Sequence, residues 1–96
     1  MHILIAYDVA TESAAGRKRL RRIAQACLNF GQRVQKSVFE CSVNEMQYEE
    51  LTRRLHKIIN EEEDSLRMYR LAQPKEQYLR VYGINTSVDF HDPLIL

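Results

Sequence analysis

Apolar residues run unbroken from Ile3 to Ala6, and the run ends on Tyr7 and Asp8 with no Gly or Pro between. So short an apolar run predicts a strand over residues 2–8, buried on both faces. Further on, Leu20, Ile23, Ala24, Cys27 and Leu28 are spaced three and four apart, which is one face of a helix. Thr11 or Ser13 supplies its N-cap, and Gly31 its stop. The stretch QRVQKSVFECSV (32–43) has β composition, but Val34, Val38 and Phe39 do not share one strictly alternating face. A bulge, or a break into two short strands near Lys36 and Ser37, reconciles them.

A second helix follows, capped by Ser42 with Glu45 or by Asn44 with Gln47. It runs to about Asn60 and turns Tyr48, Leu51, Leu55, Ile58 and Ile59 inward. The acids EEED (61–64) oppose the negative end of that helix and read as a solvated turn. Residues 65–71 predict a strand, Pro74 a linker, and the alternating QYLRVYGI (77–84) a last strand. The chain ends on apolar residues beyond Pro93, which predicts that its tail packs on something. Two helices separated by strands predict an α+β fold: a ferredoxin-like βαββαβ sandwich with an antiparallel sheet and an extra C-terminal strand. The first strand is then central. One domain over 1–96 is expected, with a core at 1–73 and a strand and tail at 74–96.

Composition narrows the class. With 96 residues, the core is small, and association that covers an exposed face is in keeping with that size. The first apolar run is too short for a signal peptide or membrane span, which points to a cytoplasmic protein without a membrane partner. Cys27 and Cys41 make no disulfide framework and read as reduced, buried groups. His2, His56 and His91 are scattered and no CxxC occurs, which argues against zinc.

Charge is segregated. From Ser13 to Phe39 there are seven bases (Arg17, Lys18, Arg19, Arg21, Arg22, Arg33, Lys36) and no acid. From Glu40 to Asp64 there are eight acids and three bases. The run GRKRLRR sits in the first half of a helix, where the dipole disfavours cations. Folding alone would place acids there, so phosphate binding is the natural gain. The plainer reading is the solvated side of an amphipathic helix.

Asp8 is the candidate for chemistry. A carboxylate at the carboxyl end of a central strand is held on a rigid element, and it can bind Mg²⁺ through oxygen. Capping the next helix, or satisfying loop amides, is the competing role. One carboxylate is too few for a two-metal site, but a two-fold axis beside the strand end would bring two copies together. Tyr7 and Phe39 are candidates for stacking on bases, with core packing the ordinary alternative. Ser37 can orient a water or phosphate, or simply bond backbone.

Taken together, YD closing the first strand, the Arg-rich helix and GQRVQKSVFEC resemble the small CRISPR-associated protein of spacer acquisition. That family is the second core adaptation protein and the partner of the CRISPR integrase. The resemblance spans the whole chain, and IAYDV with VQKSVFEC is its most specific part. It implies a ferredoxin-like homodimer whose C-terminal strand and tail (74–96) pack on the partner protomer. It implies that Asp8 binds the metal, one Mg²⁺ shared by Asp8 of both protomers. It further implies a Mg²⁺-dependent endonuclease on single-stranded RNA or duplex DNA, and a central dimer that holds DNA for the integrase. By the family pattern Tyr7, Asp8, Arg33, Ser37 and Phe39 are linked to the site. The helix arginines Arg17, Arg19, Arg21 and Arg22 are linked to phosphate contacts, and Lys18, Arg33 and Lys36 are expected to bind nucleic acid with them. Where the family often has Tyr, this chain has Lys36, which removes a stacking group and adds a charge.

Four rivals stand beside the nuclease, one of them an RNA-recognition module, whose aromatic-rich sheet motif is absent. A non-catalytic scaffold would share fold and partner and leave Asp8 a structural task. RVQKSVF faintly echoes acylphosphatases, but Lys36 replaces a glycine that their phosphate cradle needs. Ribonuclease toxins of the same fold are a further alternative.

Overall fold

The N-terminal apolar run forms β1 (His2–Asp8), and everything else is arranged around it. A computed structural model describes residues 1–72 and 75–84 of the chain. After β1 come α1 (Ala14–Leu28), β2 (Gly31–Gln35), β3 (Val38–Ser42), α2 (Glu45–Ile58), β4 (Ser65–Leu71) and α3 (Lys75–Tyr78). The strands form one four-stranded sheet in the order β2-β3-β1-β4, and every pairing is antiparallel. This is the ferredoxin-like arrangement expected from the element order, with β1 inside the sheet.

Period-two alternation sorts β1. Ile3, Ile5 and Tyr7 are buried with Phe39 and Cys41 of β3, under Ile23, Ala26 and Cys27 of α1 and Leu51 and Leu55 of α2. Each aliphatic side chain so buried contributes about 1.5–3 kcal/mol. His2, Leu4, Ala6 and Asp8 alternate onto the other face. There Leu4 and Ala6 are only half-buried. The expected strand buried on both faces is therefore covered by helices on one face alone.

Both helix starts follow local chemistry. Ser13 caps α1, its hydroxyl accepting from the Gly16 amide at 3.0 Å. Asn44 and Gln47 form a reciprocal box on α2, at 2.8 and 2.9 Å. The β2–β3 hairpin contains both devices expected of it, a turn at 36–37 and a register shift between Arg33 and Gln35.

Besides the one-sided cover of β1, the structure departs from expectation in four places. Helix α1 ends at Leu28, and Gly31 already opens β2. The glycine is needed there because a Cβ would collide with Glu40 and Cys41 of β3. Leu28 is exposed, and Ala26 is buried in its stead. Asp64 leaves the solvated turn: its side chain is fully inaccessible, paired to Arg19. Finally, 77–84 is no strand within this chain. Lys75–Tyr78 makes one helical turn, and residues 79–84 have no ladder partner among the described residues. The outer strands β2 and β4 each keep an open edge, and residues 79–84 lie on neither. Leu79, Val81, Tyr82 and Ile84 are consequently exposed. The linker at Pro74 and the tail from Pro93 to Leu96 lie outside the described residues.

Candidate functional site

Asp8 is the last residue of β1 and pairs with Ser65 of β4. On the β3 side the ladder already ends at Ala6 and Val38, followed by one backbone bond from the Tyr7 N–H to the Ser37 carbonyl at 3.1 Å. The Asp8 side chain is exposed. It has no hydrogen bond or ion pair with a described residue, so its oxygens are available to a ligand.

Tyr7 and Phe39 lie on the opposite side, in the core. Phe39 is wholly buried and Tyr7 is 6% exposed. Their rings stack at 6.2 Å between centroids with 23° between planes. The Arg33 guanidinium covers the Phe39 ring at 5.2 Å, a cation–π contact. Burial pushes the Tyr7 phenol above its ordinary pKa, and nearby Arg33 opposes that push. The Tyr7 hydroxyl nevertheless has no hydrogen-bond partner of good geometry. Ser37 and Lys36 form the hairpin turn, Ser37 half-buried and Lys36 exposed. The sequence-predicted site residues thus divide. Tyr7, Phe39 and Arg33 form one layer, Asp8 stands on the other face, and Ser37 joins them through its backbone.

Among the described residues, no three His, Cys, Asp or Glu side chains gather as metal ligands. One exposed carboxylate suits a hard, largely hydrated cation such as Mg²⁺ and does not make a zinc site.

The α1 cations also divide. Lys18, Arg21 and Arg22 are exposed and form no ion pair with a described residue. Arg17 donates from Nη1 to the Thr11 and Glu12 carbonyls at 3.1 and 3.5 Å. Arg19 is engaged throughout: Nε donates to Asp64 Oδ2 at 2.8 Å and Nη2 to Glu63 Oε2 at 3.0 Å. Asp64 also accepts from the Ala10 amide at 3.1 Å and the Asn60 amide at 3.0 Å. Burial raises the Asp64 pKa, but these donors outweigh it and hold the carboxyl below its usual range.

The fold adds groups that sequence reasoning missed. Arg54 and Lys57 of α2 join Arg22 of α1 around a groove of about 330 Å³ between the helices. Their own segment is acidic overall, which hid them. Asp64 was hidden within EEED, since its partners Arg19 and Ala10 are distant in sequence. The two thiols are buried, and burial raises Cys27 to about 12 and Cys41 to about 11. No helix among the described residues is long and apolar enough to cross a membrane.

Comparison with known proteins adds what geometry alone does not. The family model described as CRISPR associated protein Cas2 matches residues 1–80. A protein of Moorella thermoacetica named CRISPR-associated endoribonuclease Cas2 1 is 60% identical over 96 residues, covering 100% of both chains. One of Halalkalibacterium halodurans, named CRISPR-associated endonuclease Cas2, is 50% identical and covers 99% of both. The crystal structure of Streptococcus pyogenes Cas2 at pH 6.5 superposes with a TM-score of 0.78 at 47% identity. It covers 86% of this chain and 100% of that one.

Proposed function

The chain belongs to the Cas2 family of CRISPR-associated proteins, and on that premise we propose that it is a metal-dependent endonuclease of CRISPR adaptation, acting as a homodimer. The observation that carries this reading is Asp8: an exposed, unpaired carboxylate fixed to the end of a central strand. The names of its relatives, endoribonuclease and endonuclease, support phosphodiester hydrolysis of RNA or DNA. The sheet face without helices supports the dimer. Tyr69 is exposed there and Leu4 and Ala6 are half-buried, while Leu79, Val81, Tyr82 and Ile84 stand uncovered in the following segment. A second copy would cover these groups, take residues 79–84 onto its sheet edge, and set the two Asp8 carboxylates across the axis.

Asp8 of both protomers would hold one Mg²⁺. Bound there, the ion supplies positive charge to a scissile phosphate and lowers the pKa of a water. Each protomer's own residues do the rest. Asp8 orients the site from the strand end. Lys18, Arg21, Arg22 and Lys36 hold the phosphate backbone by charge. Tyr7, Phe39 and Arg33 support the strand from beneath, and Ser37 fixes the Tyr7 backbone. The protein is read as cytoplasmic and as working beside the CRISPR integrase.

The test compares wild type with Asp8→Ala, both confirmed as folded dimers, on labelled single-stranded RNA and duplex DNA with Mg²⁺ or chelator. Cleavage is expected to need Mg²⁺ and to vanish in Asp8→Ala. Undiminished cleavage by the variant would remove Asp8 from the chemistry. The groove formed by Arg22, Arg54 and Lys57 favours a second reading, in which the dimer holds nucleic acid without cutting it. Binding retained in Asp8→Ala, without cleavage by either protein, is the result that reading expects.

A further inference from the structure

Beyond Asp8 the chain leaves the sheet, and the next residues are gripped more tightly than a surface loop requires. Val9 is buried at 8% exposure. The Ala10 N–H donates to Asp64 Oδ1 at 3.1 Å. The Ala10 carbonyl lies so close to α1 that a Cβ on Gly16 would collide with it. Arg17 then bonds the Thr11 carbonyl at 3.1 Å, and Ser13 caps α1. Ala10 is therefore held through its N–H by Asp64, while its carbonyl packs closely against α1 at Gly16.

We propose that Asp64 is a positioning residue for Asp8, clamping the Ala10 peptide with Arg19 behind it and Gly16 opposite; this rests on the reading of Asp8 as a metal ligand. Asp8 has a ladder partner on one side only, Ser65. Asp64 immediately precedes Ser65, so the carboxylate that fixes the chain after Asp8 adjoins the strand that pairs with it. Burying a carboxylate costs free energy unless every lone pair is used. Here the Arg19 Nε and Nη2 atoms, the Ala10 amide and the Asn60 amide all donate to it. Closing the α2–β4 turn would not need Ala10. The Asp64 N–H already bonds the Asn60 carbonyl at 2.8 Å, and Asp64 Oδ2 takes the Asn60 amide. The bond to a residue 54 positions away serves the Asp8 end of the sheet. A metal ligand has to be held within about 0.5 Å of its working geometry, and groups behind the ligand do this. Arg19 accordingly belongs to the frame of the site, unlike Lys18, Arg21 and Arg22.

The test uses the full-length dimer as wild type, Asp8→Ala, Asp64→Asn, Arg19→Gln and Gly16→Ala. Three quantities are read: Mg²⁺ affinity by calorimetry, hydrogen exchange of the Ala10 amide, and kcat and KM for cleavage. Asp64→Asn is expected to speed Ala10 exchange and to weaken Mg²⁺ binding by about 10- to 100-fold. It should lower kcat at sub-saturating Mg²⁺, with recovery at high Mg²⁺ and KM for nucleic acid unchanged. Arg19→Gln should do the same to a smaller extent. Faster exchange in Asp64→Asn with unchanged Mg²⁺ affinity, while Asp8→Ala binds no Mg²⁺, overturns the clamp and leaves Asp8 standing. Undiminished Mg²⁺ binding by Asp8→Ala overturns the reading of Asp8 and the clamp with it. Should Asp64→Asn not fold, Gly16→Ala decides, because it displaces Ala10 while retaining both Arg19 ion pairs. Unchanged Mg²⁺ affinity in that variant overturns the proposal.

Discussion

Tyr7 and Asp8 are adjacent in sequence and stand on opposite faces of the sheet. Tyr7 is packed against Phe39 beneath the helices, and Asp8 is in solvent at the strand end. Substitutions at these two positions therefore report on different things. Asp8→Ala removes an exposed group and should move stability by no more than about 0.5 kcal/mol. Loss of function there reports on the site itself.

Tyr7→Phe is expected to move stability by no more than about 1 kcal/mol, because the buried hydroxyl it deletes has no hydrogen-bond partner of good geometry, only the nearby Arg33. Phe39→Ala, by contrast, should cost about 3–5 kcal/mol, the usual range for emptying a wholly buried aromatic site. Urea melts of both variants measure this. A Tyr7→Phe protein with intact stability and lost cleavage would give the hydroxyl a chemical part after all.

Salt dependence should separate the α1 cations. Replacing Arg21 or Arg22 is expected to reduce the slope of log affinity against log salt by about 1 for duplex DNA, one phosphate each. Arg19→Gln should leave that slope alone and lower the melting temperature instead, since Arg19 is held by Asp64 and Glu63. Titrations at several salt concentrations distinguish the two behaviours.

Acid should open the Arg19–Asp64 link. The folded-state pKa of Asp64 is depressed, so its contribution is fully present above the ordinary value of 3.8 and is lost as pH falls below it. Wild type should lose more stability than Asp64→Asn as pH drops from neutral through that window. Arg19 stays charged throughout. Equal acid sensitivity in the two proteins would contradict the assignment.

The thiols should be inert in the folded protein. Both pKa values are raised by burial, to about 12 for Cys27 and about 11 for Cys41, so almost no thiolate exists at neutral pH. Maleimide labelling is expected to be negligible in native buffer and complete in denaturant.

Much of the fold was legible in the chain because its signals are local. The Asn44–Gln47 box and the Ser13 cap each lie within a few residues, whereas the hairpin at 36–37 has no Gly-rich turn to fix its place and reads equally as a bulge. The position of Asp8 followed from the apolar run alone. Other features depend on partners far along the chain, and no periodicity reports those. Arg19 reads as a surface cation and Asp64 as one acid among four until the fold joins them. The same holds for Arg54 and Lys57, which a charge count along the sequence assigns to an acidic segment. The stretch 77–84 misled for a different reason: alternation marks a segment able to pair, and does not say whether the edge it pairs with belongs to the same chain.

The place of β1 also sets the order in which the protein can be made. Its two neighbours, β3 and β4, come from residues 38–42 and 65–71. During synthesis the most apolar strand emerges first and stays unpaired on one side until the last strand of the sheet has been translated. Closing those long loops comes before any reward from the contacts they bring. In the interval β1 presents an open edge to every other nascent chain. Poor solubility of fragments truncated before residue 65 follows directly from that geometry.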